Sequence, residues 1–216
     1  AANFAADVTF ADGADIITAS AGTSNTRIGV NAGNSITSGG NYNVVVGDEA
    51  GTALTTGDQN VFVGYAAGDA LTTASRNTAV GDQTLSTDTL GSRSTAIGFG
   101  ALNVQNFTTA TDSYNVAVGY AAGIAVTTGT NNTLLGGLAG DALTTSNRNT
   151  ALGYGTLSAD TLGSHSTAVG NLALVNQNFT TATDTYNTAV GSSAGQEVTT
   201  GIQNTILGGL AGDAIT

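Results

Sequence analysis

Residues 106–119 read NFTTATDSYNVAVG, and residues 178–191 further along the chain repeat this stretch almost unchanged as NFTTATDTYNTAVG. Both copies end in a pentad of the form Asn/Ser-x-x-aliphatic-Gly. Most pentads open a 17-residue unit and two open a 21-residue unit, and three units of the first kind with one of the second make up each 72-residue block. The chain is therefore a repeat protein with duplicated blocks of four units. The pentad occurs eleven times, starting at Asn25, Asn43, Asn60, Asn77, Ser94, Asn115, Asn132, Asn149, Ser166, Asn187 and Asn204.

A 17-residue unit is too short for a helical-pair repeat, which takes about 30 to 50 residues. One coil of a β-solenoid fits this length, and the frequent β-branched residues and Gly disfavour helices. The sequence predicts an all-β fold, a parallel β-solenoid of about eleven 17- or 21-residue coils, over residues 25–216. Residues 1–24 carry no pentad. Apolar and polar residues alternate there on both sides of a turn at Asp12-Gly13, which predicts a β lead-in or cap.

Each coil is expected to hold two short strands. The second strand is predicted where the chain reads Ala-Leu-Thr-Thr or close to it, at residues 53–56, 70–73, 125–128 and 142–145. The first strand is the pentad, and the Gly at its fifth position is expected to close it in a turn with positive φ. These glycines are Gly47, Gly64, Gly81, Gly98, Gly119, Gly136, Gly153, Gly170, Gly191 and Gly208.

The fourth position of the pentad is always aliphatic and is predicted to fill the core of the coil, with the second position on the same face. The third position points the other way, yet it is apolar in ten of eleven units, with Arg27 as the exception. A sheet that is apolar on both faces is normally covered on both faces. The third position is therefore predicted to contact neighbouring chains, through Val45, Phe62, Ala79, Ala96, Ala117, Leu134, Ala151, Ala168, Ala189 and Ile206.

The composition narrows the chemistry available to the protein. Four Arg and no Lys stand against 15 acidic residues, for a formal net charge of -11. Binding to nucleic acid or to an anionic membrane surface is not expected, because both depend on clustered basic residues. One His and no Cys leave no basis for a thiolate or His-rich metal site, so neither a metal nor a cofactor is predicted. The apolar runs are too short for a membrane helix.

The pentads Asn115-Val-Ala-Val-Gly, Asn77-Thr-Ala-Val-Gly and Ser94-Thr-Ala-Ile-Gly resemble the head repeats of trimeric autotransporter adhesins of the Yersinia adhesin type. The longer sequences NVAVGYAAG, starting at Asn115, and NTAVGSSAG, starting at Asn187, resemble repeats in bacteriophage tail fibres, including those of marine phages. The resemblance covers residues 25–216 and implies a left-handed β-roll assembled as a homotrimer. It also implies that the third-position column faces the threefold axis. The adhesin heads use shorter units, so the extra residues are expected to enlarge a turn.

Most other recurring polar residues are predicted to be structural. The Asn that opens each pentad is expected to form a hydrogen-bonded ladder. Asp69, Asp141 and Asp213 share one phase of the 72-residue block and are too far apart to bind calcium, so a solvated acidic face is predicted. His165 lies at the position of its 72-residue block that Arg93 holds in the block before, and it is predicted to be a turn residue. Thr recurs at one position of the predicted second strand, where a β-branched residue suits the strand surface, so a structural role is predicted. These residues are Thr55, Thr72, Thr89, Thr127, Thr144, Thr161, Thr199 and Thr216.

The best candidates for recognition are the two 21-residue units, which insert extra chain around residues 103–114 and 174–186. Insertions in solenoids map to loops on one face, where exposed aromatic side chains suit sugar or protein surfaces. The alternative is that these aromatic residues pack over a widened coil and bind nothing. The candidate receptor contacts are Phe107, Tyr114, Phe179 and Tyr186.

Together these features predict a non-enzymatic, structural and adhesive fibre segment on a phage particle or a bacterial surface, binding a cell-surface glycan or protein. A polysaccharide depolymerase is the alternative, disfavoured because no pair of acids recurs at a useful spacing. An ice-binding solenoid or a self-assembling extracellular filament is the third. The last unit stops at Thr216 within its coil, so we expect a continuing chain or end-to-end stacking that covers its edge.

Overall fold

The computed structural model describes residues 21–215, and it has the all-β solenoid architecture expected from the repeat. About eleven coils stack on one another, and the described residues contain no helix. Residues 1–20 of the predicted lead-in lie outside the described part of the chain, as does Thr216 of the predicted Thr column.

One parallel sheet of eleven strands runs along the whole stack. Each strand is the second to fourth residue of a pentad, and it pairs in register with the strand of the next coil, so that Val45 lies opposite Phe62 and Phe62 opposite Ala79. The register repeats without slippage across the two 21-residue coils. The strands are Thr26–Ile28, Val44–Val46, Val61–Val63, Thr78–Val80, Thr95–Ile97, Val116–Val118, Thr133–Leu135, Thr150–Leu152, Thr167–Val169, Thr188–Val190 and Thr205–Leu207.

The prediction of a second strand in every coil was wrong. The Ala-Leu-Thr-Thr segments are turns, although they still bond the next coil, as where the Thr55 amide donates to the Thr72 carbonyl at 2.8 Å. A left-handed residue such as Gly51, with φ of +54°, precedes each segment and bends the chain out of an extended path. Within residues 21–215, further short strands occur only beside the 21-residue coils, as the pairs Gly91–Ser92 with Thr111–Asp112 and Gly163–Ser164 with Thr183–Asp184.

The predicted assignment of the two sheet faces was also wrong. The third-position side chains lie inside the coil of their own chain, and the second and fourth positions point outward and are half-exposed or exposed. A side chain enclosed by its own coil cannot face a threefold axis. The correction applies to every residue proposed for that axis: Val45, Phe62, Ala79, Ala96, Ala117, Leu134, Ala151, Ala168, Ala189 and Ile206.

The interior is filled by complementary volumes on opposite walls of the coil. Where the third position is large, as at Phe62, the left-handed residue six positions later is Gly68, and a Cβ there would lie 2.9 Å from the Phe62 ring. Where the third position is Ala79, the corresponding residue is a buried Leu85. This pairing keeps these coils close-packed and allows a small alanine at an interior position. In the coils of Ala117 and Ala189 both positions are small, and at Gly123 the space is taken by Leu134 and Leu102 of the neighbouring coils.

The predicted Asn ladder is confirmed and lines the start of each strand. The Asn43 Oδ1 accepts the Asn60 amide at 2.9 Å, and the Asn43 side-chain amide donates to the Gly57 carbonyl at 2.9 Å. The same two bonds recur at Asn60, whose Oδ1 accepts the amide of Asn77. Because these polar groups are buried and satisfied, they hold successive coils in register.

Ser94 and Ser166 interrupt this ladder at the 21-residue coils, where a glutamine completes it. The Gln105 side chain accepts from the Asn115 side-chain amide at 2.8 Å and donates to Ser94 Oγ at 3.0 Å and to Asp88 Oδ2 at 2.6 Å. Asp88 also accepts from the amides of Gly91 and Phe107. Gln177 and Asp160 repeat the arrangement in the second block. The wider coils are thus closed by a buried polar cluster.

Candidate functional site

The outward face of the long sheet carries two columns, which we call the outer face. The second pentad position supplies Thr in eight coils and Val in three, and the fourth position supplies Val, Ile or Leu in all eleven. Side chains such as Ile97, Leu135 and Val190 are more than one-third exposed. The outer face is therefore an unbroken, largely aliphatic surface that no other part of residues 21–215 covers.

The 21-residue coils place their four aromatic residues in two different environments. Phe107 and Phe179 are 5% and 6% exposed, so the interpretation that they pack over a widened coil is correct for these two and the receptor role is wrong. Tyr114 and Tyr186 are exposed. The extra chain forms a bulge at residues 108–110 and 180–182, because the amide and carbonyl of Leu90 bond to Phe107 and Thr111 on either side of it.

Tyr114 and Tyr186 belong to a longer row of side chains, the pre-pentad column, formed by the residue before each pentad. Every member has positive φ, between 50° and 66°. The amide of each residue from Tyr42 to Arg93 donates to a carbonyl of the coil before it, which keeps the column in register with the sheet. The column consists of Ser24, Tyr42, Gln59, Arg76, Arg93, Tyr114, Asn131, Arg148, His165, Tyr186 and Gln203.

Side chains of adjacent coils stack within the pre-pentad column. The Arg93 guanidinium lies 5.6 Å from the centroid of the Tyr114 ring, and its Nε is 2.9 Å from an oxygen of Asp112. In the second block the His165 ring lies 5.0 Å from the Tyr186 ring, and His165 Nδ1 is 3.1 Å from Asp184. The prediction that His165 is a turn residue is confirmed by its φ of 64°.

A second exposed row follows the pentad glycines and carries aromatic residues in four coils, Tyr65, Phe99, Tyr120 and Tyr154. The rings of Phe99 and Tyr120 stack at 5.6 Å with an interplanar angle of 12°. We call this row the post-pentad column. Its other members include Asp48, Asp82 and Asn171.

Asp69, Asp141 and Asp213 do not form the solvated acidic face that the sequence predicted. Asp69 and Asp141 are half-buried, and one carboxylate oxygen of each is buried without a hydrogen-bond partner. Burial raises the pKa of both carboxyls. Asp213 alone is exposed.

The Thr column of the turn segments has its hydroxyls engaged within the stack. The Thr55 hydroxyl donates to the Thr72 carbonyl at 3.1 Å, and the Thr144 hydroxyl donates to the Thr161 carbonyl at 3.0 Å. These bonds support the structural interpretation of this column.

No three His, Asp or Glu side chains of residues 21–215 lie together as a set of metal ligands. Nor does this part of the chain contain a helix with the length and apolar character needed to cross a bilayer. Comparisons with known proteins give no match, whether with family models, curated proteins or solved structures.

Sequence reasoning missed both exposed columns beside the pentad, although the sequence contains the signal. Tyr42, Tyr114 and Tyr186 follow one another at the spacing of one full block, as do Arg76 and Arg148. Aligning the chain on the pentad and reading the residue just before it is sufficient to find the pre-pentad column.

Proposed function

We propose that this chain is a structural segment of a surface fibre of the left-handed β-roll type, and that three copies associate through their outer faces. The observation that carries the proposal is the unbroken aliphatic fourth-position column. At the usual strand spacing of about 4.8 Å, eleven coils make this surface about 50 Å long. Monomeric proteins rarely expose contiguous apolar surfaces on this scale.

The corrected faces strengthen the case for self-association. The third-position column is already buried and needs no partner. The outer face repeats regularly along eleven strands, so an identical face can pack against it. The number of copies follows the resemblance of the pentads to trimeric adhesin heads and phage fibres. We propose a location on the outside of a phage particle or of a bacterial cell, and a role that includes no catalytic step.

Light scattering on the purified chain tests the proposal. We expect the mass of a trimer, and we expect Leu135→Asp together with Leu152→Asp to give folded monomers, because each introduces a charge on the outer face. Ser192→Asp is the matched control, since Asp48 and Asp82 already occupy the same column. A stable, monodisperse monomer of the unmodified chain would refute the proposal.

Ice binding is a second candidate, and it is favoured by the Thr residues of the outer face. Eight Thr side chains repeat at one position of a regular parallel sheet beside an aliphatic column. A face that binds ice must stay open to water, so this candidate requires a monomer or an assembly through another surface. Thermal hysteresis by the unmodified chain, lost on changing Thr133 and Thr150 to bulky residues, would favour it over the fibre proposal.

A further inference from the structure

The pre-pentad column concentrates the basic groups of an acidic protein. It holds three of the four arginines, the only histidine and three of the six tyrosines. The rest of the chain carries many acids and only one further Arg, so a ligand with negative groups finds its cationic partners mainly along this line. Arg76 and Arg148 form no ion pair with any carboxylate of residues 21–215.

The backbone conformation shows that these side chains are retained against a local cost. Gly is the residue best suited to positive φ, and the neighbouring left-handed positions use it in several coils, as at Gly51, Gly68 and Gly100. The pre-pentad column uses no Gly in eleven coils. Tyr42, Tyr114 and Tyr186 are more than half exposed, so core packing does not account for them. Left-handed backbone at residues other than Gly costs free energy, and burial does not compensate for that cost at these tyrosines.

The column also has a fixed period. Every side chain of the column from Tyr42 to Gln203 ends in a planar group. The residue types repeat every four coils in the order Tyr, then Gln or Asn, then Arg, then Arg or His. Four strand spacings correspond to about 19 Å, so Tyr114 and Tyr186 stand at this distance, as do Arg76 and Arg148. Such a straight and repetitive surface suits a ligand that is itself linear and repetitive.

We propose that the pre-pentad column binds a linear polysaccharide that carries carboxylate groups. The exposed tyrosine rings provide apolar faces on which sugar rings stack. Arg76 and Arg148 pair with carboxylates in a bidentate geometry, and Gln59, Asn131 and Gln203 exchange hydrogen bonds with hydroxyls. Arg93 already pairs with Asp112, so the density of free positive charge is low. This sparse charge suits a polymer with widely spaced carboxylates better than a nucleic acid with a phosphate on every residue.

The proposal goes beyond the fibre role and does not depend on the number of associated copies. It is tested by calorimetry on the full chain with oligosaccharides of polygalacturonate and alginate, with neutral cello-oligosaccharides of the same length, and with oligo-dT. We expect binding of at least one acidic oligosaccharide, weakened by added salt, and weak or no binding of the other two ligands.

Two substitutions locate the site. Arg76→Gln and Arg148→Gln are expected to weaken binding about tenfold or more each, as loss of a charge-assisted hydrogen bond does. Gln occupies the same column with the same φ at Gln59 and Gln203, so these variants retain the fold. Tyr114→Asn with Tyr186→Asn is expected to weaken binding as well, and Asn131 shows that Asn is tolerated there.

The control is Tyr65→Asn with Tyr154→Asn, which removes two equally exposed tyrosines from the post-pentad column, where Asn171 already stands. We expect this variant to bind as the unmodified chain does, and light scattering is expected to show the same mass for all variants. Absence of binding to both acidic ligands, equal binding of the neutral ligand, tighter binding of oligo-dT, or folded arginine variants with unchanged affinity would each overturn the proposal.

Discussion

At the scale of single residues, the solenoid depends on positions that accept only one type of residue. The Gly that ends each pentad occupies one such position. Gly119 has φ of +140°, and a Cβ there would lie 2.5 Å from the carbonyl of Gly136 in the next coil. Residues other than Gly rarely adopt this conformation, and the adjacent coil leaves no space for a side chain.

We expect Gly119→Val to lower the free energy of unfolding by at least about 1 to 3 kcal/mol, from backbone strain alone. Urea denaturation measures the effect. Gly137→Ala is the control, since Gly137 lacks positive φ and its Cβ would meet the Tyr154 ring at an ordinary 3.6 Å. An unchanged midpoint for Gly119→Val would show that the turn can open without cost.

Asp88 occupies a second such position, and its buried carboxyl makes the free energy of unfolding depend on pH. Desolvation by burial raises the pKa of Asp88 above 3.8, despite the hydrogen bond from Gln105 and those from backbone amides. The folded state therefore binds this proton more readily than the unfolded state. The resulting penalty is fully present above the folded pKa and is relieved as pH falls through it towards 3.8.

Substitution of Asp88 by Asn tests the sign of this dependence. The unmodified chain gains stability relative to Asp88→Asn as the pH is lowered from 7 towards 4, because only the unmodified chain loses a buried charge. At neutral pH the variant also places an amide donor against the Gln105 Nε2 donor, at a cost of about 1 to 3 kcal/mol. Denaturation at several pH values measures the difference, with the exposed Asp82→Asn as control. A difference that is constant with pH would contradict the assignment.

At the scale of the coil, stability comes from matching volumes across a narrow interior. Phe62 faces Gly68, whereas Ala79 in the next coil accompanies Leu85, so neighbouring coils use opposite solutions to the same packing problem. Leucine is compatible with the left-handed conformation of this column, since Leu85 has φ of 49° and Leu157 has φ of 53°.

This arrangement predicts a rescue. Phe62→Ala alone leaves a cavity and is expected to cost about 3 to 5 kcal/mol. Adding Gly68→Leu converts the coil to the pattern of its neighbour and should recover more than half of the loss, although Gly68→Leu alone clashes with the Phe62 ring. A double-mutant cycle by urea denaturation measures the coupling. Additive effects of the two changes would mean that the walls do not pack as a pair.

At the scale of the whole molecule, each coil contacts only its neighbours, so stability is distributed along the stack. The chain also carries a net charge of -11. Association through the outer face brings like charges together, and salt screens their repulsion. The attraction between the aliphatic columns involves no charges, so salt does not screen it.

We therefore expect the proposed trimer to tighten as ionic strength rises, whereas binding of an acidic polysaccharide weakens. Sedimentation equilibrium from about 20 to 300 mM salt measures the first effect, since the Debye length shortens severalfold over such a range. Dissociation of the assembly by added salt would indicate that ion pairs and not the outer face hold the copies together.

The sequence by itself determined the fold class, the number of coils and their register. A pentad repeated eleven times places Gly and Asn at constant positions, and each has a local physical role in a turn or a ladder. These roles do not depend on what lies across the coil. The insertions were located for the same reason, because they break a regular period.

Only the tertiary structure decided which face of the sheet is inside. Third and fourth positions are both apolar, so hydrophobicity does not distinguish them, and the larger aliphatic residues of the fourth position favoured the wrong choice. The interior is narrow and its opposite wall supplies Leu85, Leu102 or Leu157, which leaves room only for alanine at the third position in those coils. That volume match joins residues on opposite sides of a coil, and it becomes visible only when the coil is closed.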